Sequence, residues 1–278
     1  MKRFACVLLA ATMLFATAVG ASADHLEDIK ERGRLVVGAE VGFAPFEFYF
    51  EDENGEEYEA GFEMDLAREI ASVLGVELEV ADQAFTGLIP TLQAGDVDMV
   101  ISGLSATPER REAVDFSDLY YAGVLQIVIR AEDAEKYKTE EDVKGKTLGA
   151  QMGSIQQTAL ENQFADSEHL LLPKVPTLLM ELKNGNIEGV VCTRVVAESY
   201  MSLEEYAGLT FSEIPVDYQS SGVGVAMKKD PENEALMATV NEVIARVTAD
   251  GTFDGWYQKA CAQNAELLKA EMEAETAQ

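Results

Sequence analysis

Leu66-Ala67-Arg68-Glu69-Ile70-Ala71-Ser72-Val73-Leu74-Gly75-Val76-Glu77-Leu78-Glu79-Val80 is the run whose reading decides the fold class. Leu66, Ile70, Val73 and Leu74 recur at helical spacing within 64–74, Gly75 stops the helix, and 76–80 reads as a strand. The same alternation extends outward in both directions. Leu35-Val36-Val37-Gly38 reads as a buried strand before it; a helix at 88–94 and a strand at 99–102 follow. Further on come a strand at 147–150, helices at 154–164 and 177–183, and a strand at 189–192. Strands alternating with helices predict an α/β architecture, with largely parallel sheets covered on both faces.

A chain of 278 residues is longer than one compact core usually runs, so two lobes are expected. Gln126-Ile127-Val128-Ile129-Arg130 and Gly222-Val223-Gly224-Val225-Ala226-Met227 read as the strands that cross between them. A polar, charged stretch at 131–145 follows the first. An amphipathic helix with Leu236, Val240, Val243, Ile244 and Val247 follows the second. Two crossings make the first lobe discontinuous, with 24–125 and 224–264 in lobe one and 126–223 in lobe two. Residues 265–278 read as an acidic helical tail. No internal repeat is evident.

The N-terminus reads as an export signal. Lys2 and Arg3 precede an apolar run at 4–19, and Ala21-Ser22-Ala23 is a small-residue cleavage site, so residues 1–23 are expected to be removed after Ala23. Cys6 lies too early in that run to be a lipid-anchored cysteine. The expected product is a soluble exported protein of the periplasm. The formal charge is −29, and the leader carries two basic residues and no acid, so the remainder is more acidic still. Such a balance excludes nucleic acid and anionic membrane surfaces as expected partners. Glu51-Asp52-Glu53 and Glu56-Glu57 read as solvated loop.

Cys192 and Cys261 fit no metal spacing; one disulfide and two free buried thiols both remain open. With His25 and His169 the only histidines, neither a histidine-based metal site nor a catalytic triad is expected, and no cofactor is implied.

One run carries chemistry. In Gly103-Leu104-Ser105-Ala106-Thr107-Pro108-Glu109-Arg110, Thr107 can N-cap a helix and Pro108 fits its first position, which puts Arg110 on the first turn. Free backbone N–H groups, the Ser105 hydroxyl and the Arg110 fork can then meet on one carboxylate. Taken alone, the run also fits a surface arginine on a well-capped helix.

Gly61-Phe62-Glu63-Met64-Asp65-Leu66, the segment from Thr107 to Tyr121, and the closing pattern 222–228 with Asn241 and Asp250-Gly251-Thr252-Phe253-Asp254 carry a resemblance. In that order they are similar to the bacterial periplasmic solute-binding proteins of family 3, the polar-amino-acid receptors of ABC importers. The likeness spans about residues 30–262. It implies a two-lobed periplasmic-binding-protein fold of type II, two hinge strands, and a ligand in the interlobe cleft. It implies an amino acid ligand, a membrane permease as partner, and no catalysis; a monomer is expected.

Carried over residue by residue, the resemblance puts the ligand carboxylate on Gly103, Ser105, Arg110 and the Ile155 N–H. A Ser154–Gln157 capping box would leave that N–H free. Phe43, Phe85, Glu40 and Gln151 would face the side chain, favouring a basic or amide group. Thr193 stands where the family carries the acid that binds the α-ammonium. A hydroxyl accepts a hydrogen bond but does not neutralise a buried cation. Either Glu40 takes over the charge pairing, or the ligand is a non-standard amino acid or another small carboxylate. A cleft enzyme such as a cyclohexadienyl dehydratase is the alternative of another class, with Glu40 as its acid.

Overall fold

The computed structural model describes residues 24–276 apart from Glu53, Gln219 and Ser220. The expected leader and its cleavage point lie outside the described residues. Among the described residues no helix is long and apolar enough to cross a membrane.

Asp24 caps α1 (His25–Arg32) by accepting from the Leu26 N–H, and Gly33 ends it. Then come β1 (Arg34–Ala39), β2 (Phe48–Glu51), β3 (Glu57–Ala60), α2 (Phe62–Leu74), β4 (Glu77–Asp82), α3 (Leu88–Ala94), β5 (Met99–Val100), α4 (Pro108–Ala113) and β6 (Val114–Phe116). The chain next forms β7 (Leu125–Arg130), β8 (Thr147–Gln151), α5 (Ile155–Gln163), β9 (Glu168–Leu172), α6 (Val175–Lys183), β10 (Gly189–Thr193), α7 (Arg194–Met201) and β11 (Leu209–Phe211). It closes with β12 (Ala226–Lys228), α8 (Glu234–Ala249) and α9 (Thr252–Thr276).

Two five-stranded sheets result, ordered β4-β1-β5-β12-β6 and β11-β7-β10-β8-β9. Each holds a parallel triplet, β4-β1-β5 or β9-β8-β10. Each also holds antiparallel pairings, β12 with β5 and β6 in one sheet, β7 with β10 and β11 in the other. The sheets are therefore mixed, against the expectation of largely parallel ones. A strand that enters a sheet straight from the other lobe has no helix to turn it round, and it runs opposite to the triplet.

The first run read as a crossing strand lies inside a sheet as β7, while of the second, 222–227, only Ala226 and Met227 enter β12. The crossing is made by the segment before β7 and by the first part of the second run, side by side at Tyr121 and Val223. The Val223 N–H donates to the Tyr121 carbonyl at 2.7 Å, and the Tyr120 N–H donates to the Val223 carbonyl at 3.0 Å.

In α2 the residues Phe62, Leu66 and Ile70 are fully buried, while Val73, counted with them from spacing, is 50% exposed at the edge of the buried arc. Full burial of each such side chain contributes about 1.5–3 kcal/mol. Phe62 lies 4.5 Å from Phe46, 5.5 Å from Phe253 and 5.7 Å from Tyr257, centroid to centroid, so the start of α9 seals the floor under the β1–β2 loop. Gly61 makes that approach possible: at φ +119° a Cβ there would lie 2.0 Å from the Phe46 carbonyl oxygen.

The acidic stretch read as solvated loop is the tip of the β2–β3 hairpin. Asp52 accepts from the Asn54 and Glu56 N–H groups at the turn. The helix α9 continues without a break to Thr276, within the stretch read as an acidic helical tail. Both described cysteines are free; burial pushes the Cys192 thiol up to about 12.

Candidate functional site

Parallel triplets direct the carboxyl ends of their strands to one edge, and a cleft forms there. Glu40 follows β1, Ser102 and Gly103 follow β5, Gln151 ends β8, and Thr193 ends β10. One pocket brings all nine residues predicted from sequence together: Gly103, Ser105, Arg110 and Ile155, with Glu40, Phe43, Phe85, Gln151 and Thr193. Hydrogen bonds between the described residues link the lobes around it. Gln151 Nε2 donates to Glu40 Oε2 at 2.7 Å, and Arg110 Nη2 to the Gly153 carbonyl at 3.0 Å. Lys174 Nζ donates to the Val41 carbonyl at 2.8 Å, and the Tyr200 hydroxyl to that of Gly42 at 2.9 Å. This is a closed arrangement.

The α4 start is built as its sequence suggests. Thr107 Oγ1 accepts from the Arg110 N–H at 3.2 Å, with Pro108 at the first helical position. The Arg110 fork donates to the Ser105 carbonyl at 2.9 Å as well as across the lobes, and its guanidinium carbon sits 5.5 Å from the Phe85 centroid. Phe85 therefore stacks on the arginine. Burial lowers Arg110 to about 10, so it stays charged at neutral pH.

Gly103 donates its N–H to Glu63 Oε2 at 2.7 Å. That N–H is therefore not offered to the cleft, and the Gly103 Cα packs on Phe43, whose ring would lie 3.1 Å from a Cβ there.

From the facing lobe, Ser154 caps α5. Its hydroxyl accepts from the Gln157 N–H at 3.2 Å and donates to the Gln151 carbonyl at 2.6 Å. Only half of the expected capping box forms. Gln157 Oε1 accepts from the Gly153 N–H at 2.7 Å, one residue earlier than the reciprocal bond requires, because Gly153 at φ +76° turns its N–H toward the helix.

Glu40 is 2% exposed. Besides Gln151 it faces Lys174 Nζ, 3.7 Å from Oε1. Burial raises its pKa, with Gln151 and then Lys174 pulling the other way. Thr193 Oγ1 accepts from Gln156 Nε2 at 2.8 Å.

Phe46, Tyr121, Gln156 and Lys174 were missed from sequence. Phe46 and Tyr121 meet edge to face at 5.1 Å and belong to the aromatic floor. Gln156 is hidden in an ordinary helix start, and Lys174 is a lone lysine between β9 and α6; neither carries a local signal.

Two lobes closed on a cleft at the carboxyl ends of their strands define a periplasmic-type binding protein of type II fold. The model of the bacterial extracellular solute-binding proteins, family 3, matches residues 35–263, and the chain belongs to that family. It is similar to the arginine-binding extracellular protein ArtP of Bacillus subtilis, at 34% identity over 84% of this chain and 88% of that one. Among solved structures it resembles the amino acid ABC transporter substrate-binding protein AbpA of Streptococcus pneumoniae bound to L-arginine. That match has a TM-score of 0.80 and 32% identity, over 86% of this chain and 99% of that one. An ancestral amino acid-binding protein, a precursor of cyclohexadienyl dehydratase, matches with a TM-score of 0.75 and 30% identity, over 84% and 98% of the two chains.

Proposed function

We propose that this chain is the exported receptor of an ABC importer for a basic amino acid, with L-arginine the first ligand to test. One observation carries the reading: among the described residues lining the cleft, Arg110 is the one base and Glu40 the one acid, with Lys174 just outside the lining and 3.7 Å from Glu40. Arg110 would hold the ligand carboxylate with Ser105 and the start of α5. Glu40 would pair with the guanidinium between Phe43 and Gln151. The arginine-binding relatives support the same choice. A ligand touching both lobes favours the closed state by its differential affinity, and a membrane permease reads that state. The working form is a monomer cleaved after Ala23, with no nucleic-acid partner.

Titration calorimetry and thermal melts with arginine, lysine, histidine, glutamine and glutamate test this. Ligand at ~100 times Kd stabilises by about 2.7 kcal/mol. No shift with any of these amino acids would sink the receptor reading.

Affinity for arginine also depends on pH through Glu40. Its raised pKa means that protonation competes with the guanidinium at a higher pH than for an ordinary carboxyl. Binding therefore weakens as pH falls, and it does so at a higher pH than an ordinary carboxyl would give. Glu40→Gln binds arginine more weakly and loses that slope; an unchanged slope would assign the titration elsewhere.

Catalysis is not part of the reading. Glu40 accepts from Gln151 and faces Lys174, which orients it to receive a cation, not to give up a proton. Incubation with prephenate or arogenate should yield no aromatic product.

A further inference from the structure

Resting on the receptor reading, we infer that Thr193, paired with Gln156, makes the nitrogen end of the cleft electrically neutral. The ligand class is then a carboxylate with one distal cation, and an α-ammonium adds little. The cleft takes ω-guanidino and ω-amino acids that lack the α-amino group about as well as it takes arginine or lysine.

The charge census comes first. The described lining residues hold one acid and one base, Glu40 and Arg110. Glu40 is engaged by Gln151 and Lys174, whereas Thr193 is engaged by Gln156; the two share no partner. Lys174 already faces Glu40, so a ligand with two cationic groups finds a counter-charge for at most one. Desolvating the other against hydroxyl and amide dipoles alone gains little over water.

Local geometry fixes Thr193 in this neutral role. Its methyl lies where it would stand 2.9 Å from a Cβ on Gly123, which leaves the hydroxyl turned to Gln156 Nε2. Thr193 and Gln156 are both buried, at 7% and 6% exposure, so water does little to screen a cation beside them. Thr193 is also the N-cap of α7 and gives it no side-chain cap, so the positive end of that helix faces the same spot. On the next turn Glu198 is exposed and paired with Arg194 at 2.7 Å. Nothing described there repays an ammonium.

Calorimetry with L-arginine and its des-amino analogue δ-guanidinovalerate tests the inference on the wild type, Thr193→Ser and Thr193→Asp. The expected wild-type affinities lie within about tenfold of each other, and Thr193→Ser keeps that ratio. Thr193→Asp supplies the missing charge and caps α7, and shifts the ratio toward arginine by about tenfold or more, as close charge pairs do. A wild-type preference for arginine above ~100-fold overturns the inference and leaves the receptor reading intact. An unchanged ratio in a folded Thr193→Asp overturns it as well. If the wild type binds neither compound nor any amino acid, the receptor reading falls and takes the inference with it.

Discussion

Arg110→Ala abolishes the thermal shift that arginine produces and leaves the melting temperature of the free protein nearly unchanged. The guanidinium is the only base in the cleft lining among the described residues, and burial has already stripped much of its water. Removing one partner of a buried, hydrogen-bonded charge pair costs about 2–5 kcal/mol of binding, or roughly thirty-fold to several thousand-fold in Kd. The fold loses less. The two carbonyls that Arg110 serves, on Ser105 and Gly153, stand at the cleft, where water can replace it. Arg110→Lys keeps the charge but not the fork, so it falls between. Retained affinity in the alanine variant, within tenfold by calorimetry, would show that the carboxylate is held elsewhere.

The second large effect lies one layer beneath. Glu47 and Glu63 are both fully buried. Glu63 accepts from the Tyr120 hydroxyl at 2.5 Å and from the Gly103 N–H at 2.7 Å; Glu47 Oε1 accepts from Ser102 at 2.7 Å. Burial, then the Glu63 charge, holds Glu47 well above the usual carboxylate range, and burial raises Glu63 less. No donor is aimed at Glu47 Oε2, and the facing Glu63 carboxylate supplies an acceptor instead. A proton held on Glu47 therefore joins the pair.

Glu63→Ala leaves the Tyr120 hydroxyl and the Gly103 N–H without their partner, and it opens a cavity. The expected loss is about 3–5 kcal/mol, which lowers the melting temperature by roughly 6–20 °C in a protein of this size. Arginine affinity falls with it, since Gly103 begins the loop that carries Ser105 and Arg110. A melting temperature within about 3 °C of wild type would refute the account.

Glu47→Gln behaves differently. The native pKa of Glu47 lies above its unfolded value, so its contribution is complete below the unfolded pKa and is lost as pH rises through the native one. A neutral amide at this position donates to Glu63 at every pH. Urea unfolding of the variant should lose less stability than wild type as pH rises above the ordinary carboxylate range.

Much of this could be read along the chain. Spacing and stop signals around Ile70 and Gly75 identified the parallel triplet of the first lobe. The Thr107 cap formed as written, because caps and helical periods are local physics within a few residues. The β2–β3 hairpin escaped because the charges at its tip resemble loop, while its apolar partners pack against residues far off in sequence. Lys174 and Gln156 escaped for the same reason in sharper form. Each matters through one contact, to the Val41 carbonyl or to Thr193, that no local pattern announces.

Glu63 was visible within a quoted motif, but its work was not. That work depends on Gly103 and Tyr120 arriving from two later segments.

By itself the sequence determined the α/β class, the division into two lobes, and the residue types available to hold a carboxylate and a cation. Those follow from periodicity and side-chain chemistry, which need no knowledge of neighbours. Only the tertiary structure decided that the sheets are mixed, that the Gly103 N–H is already engaged, and that Thr193 is matched by a neutral amide. Each is a pairing between distant segments, and whether a buried polar group is satisfied depends on what the other lobe brings to it.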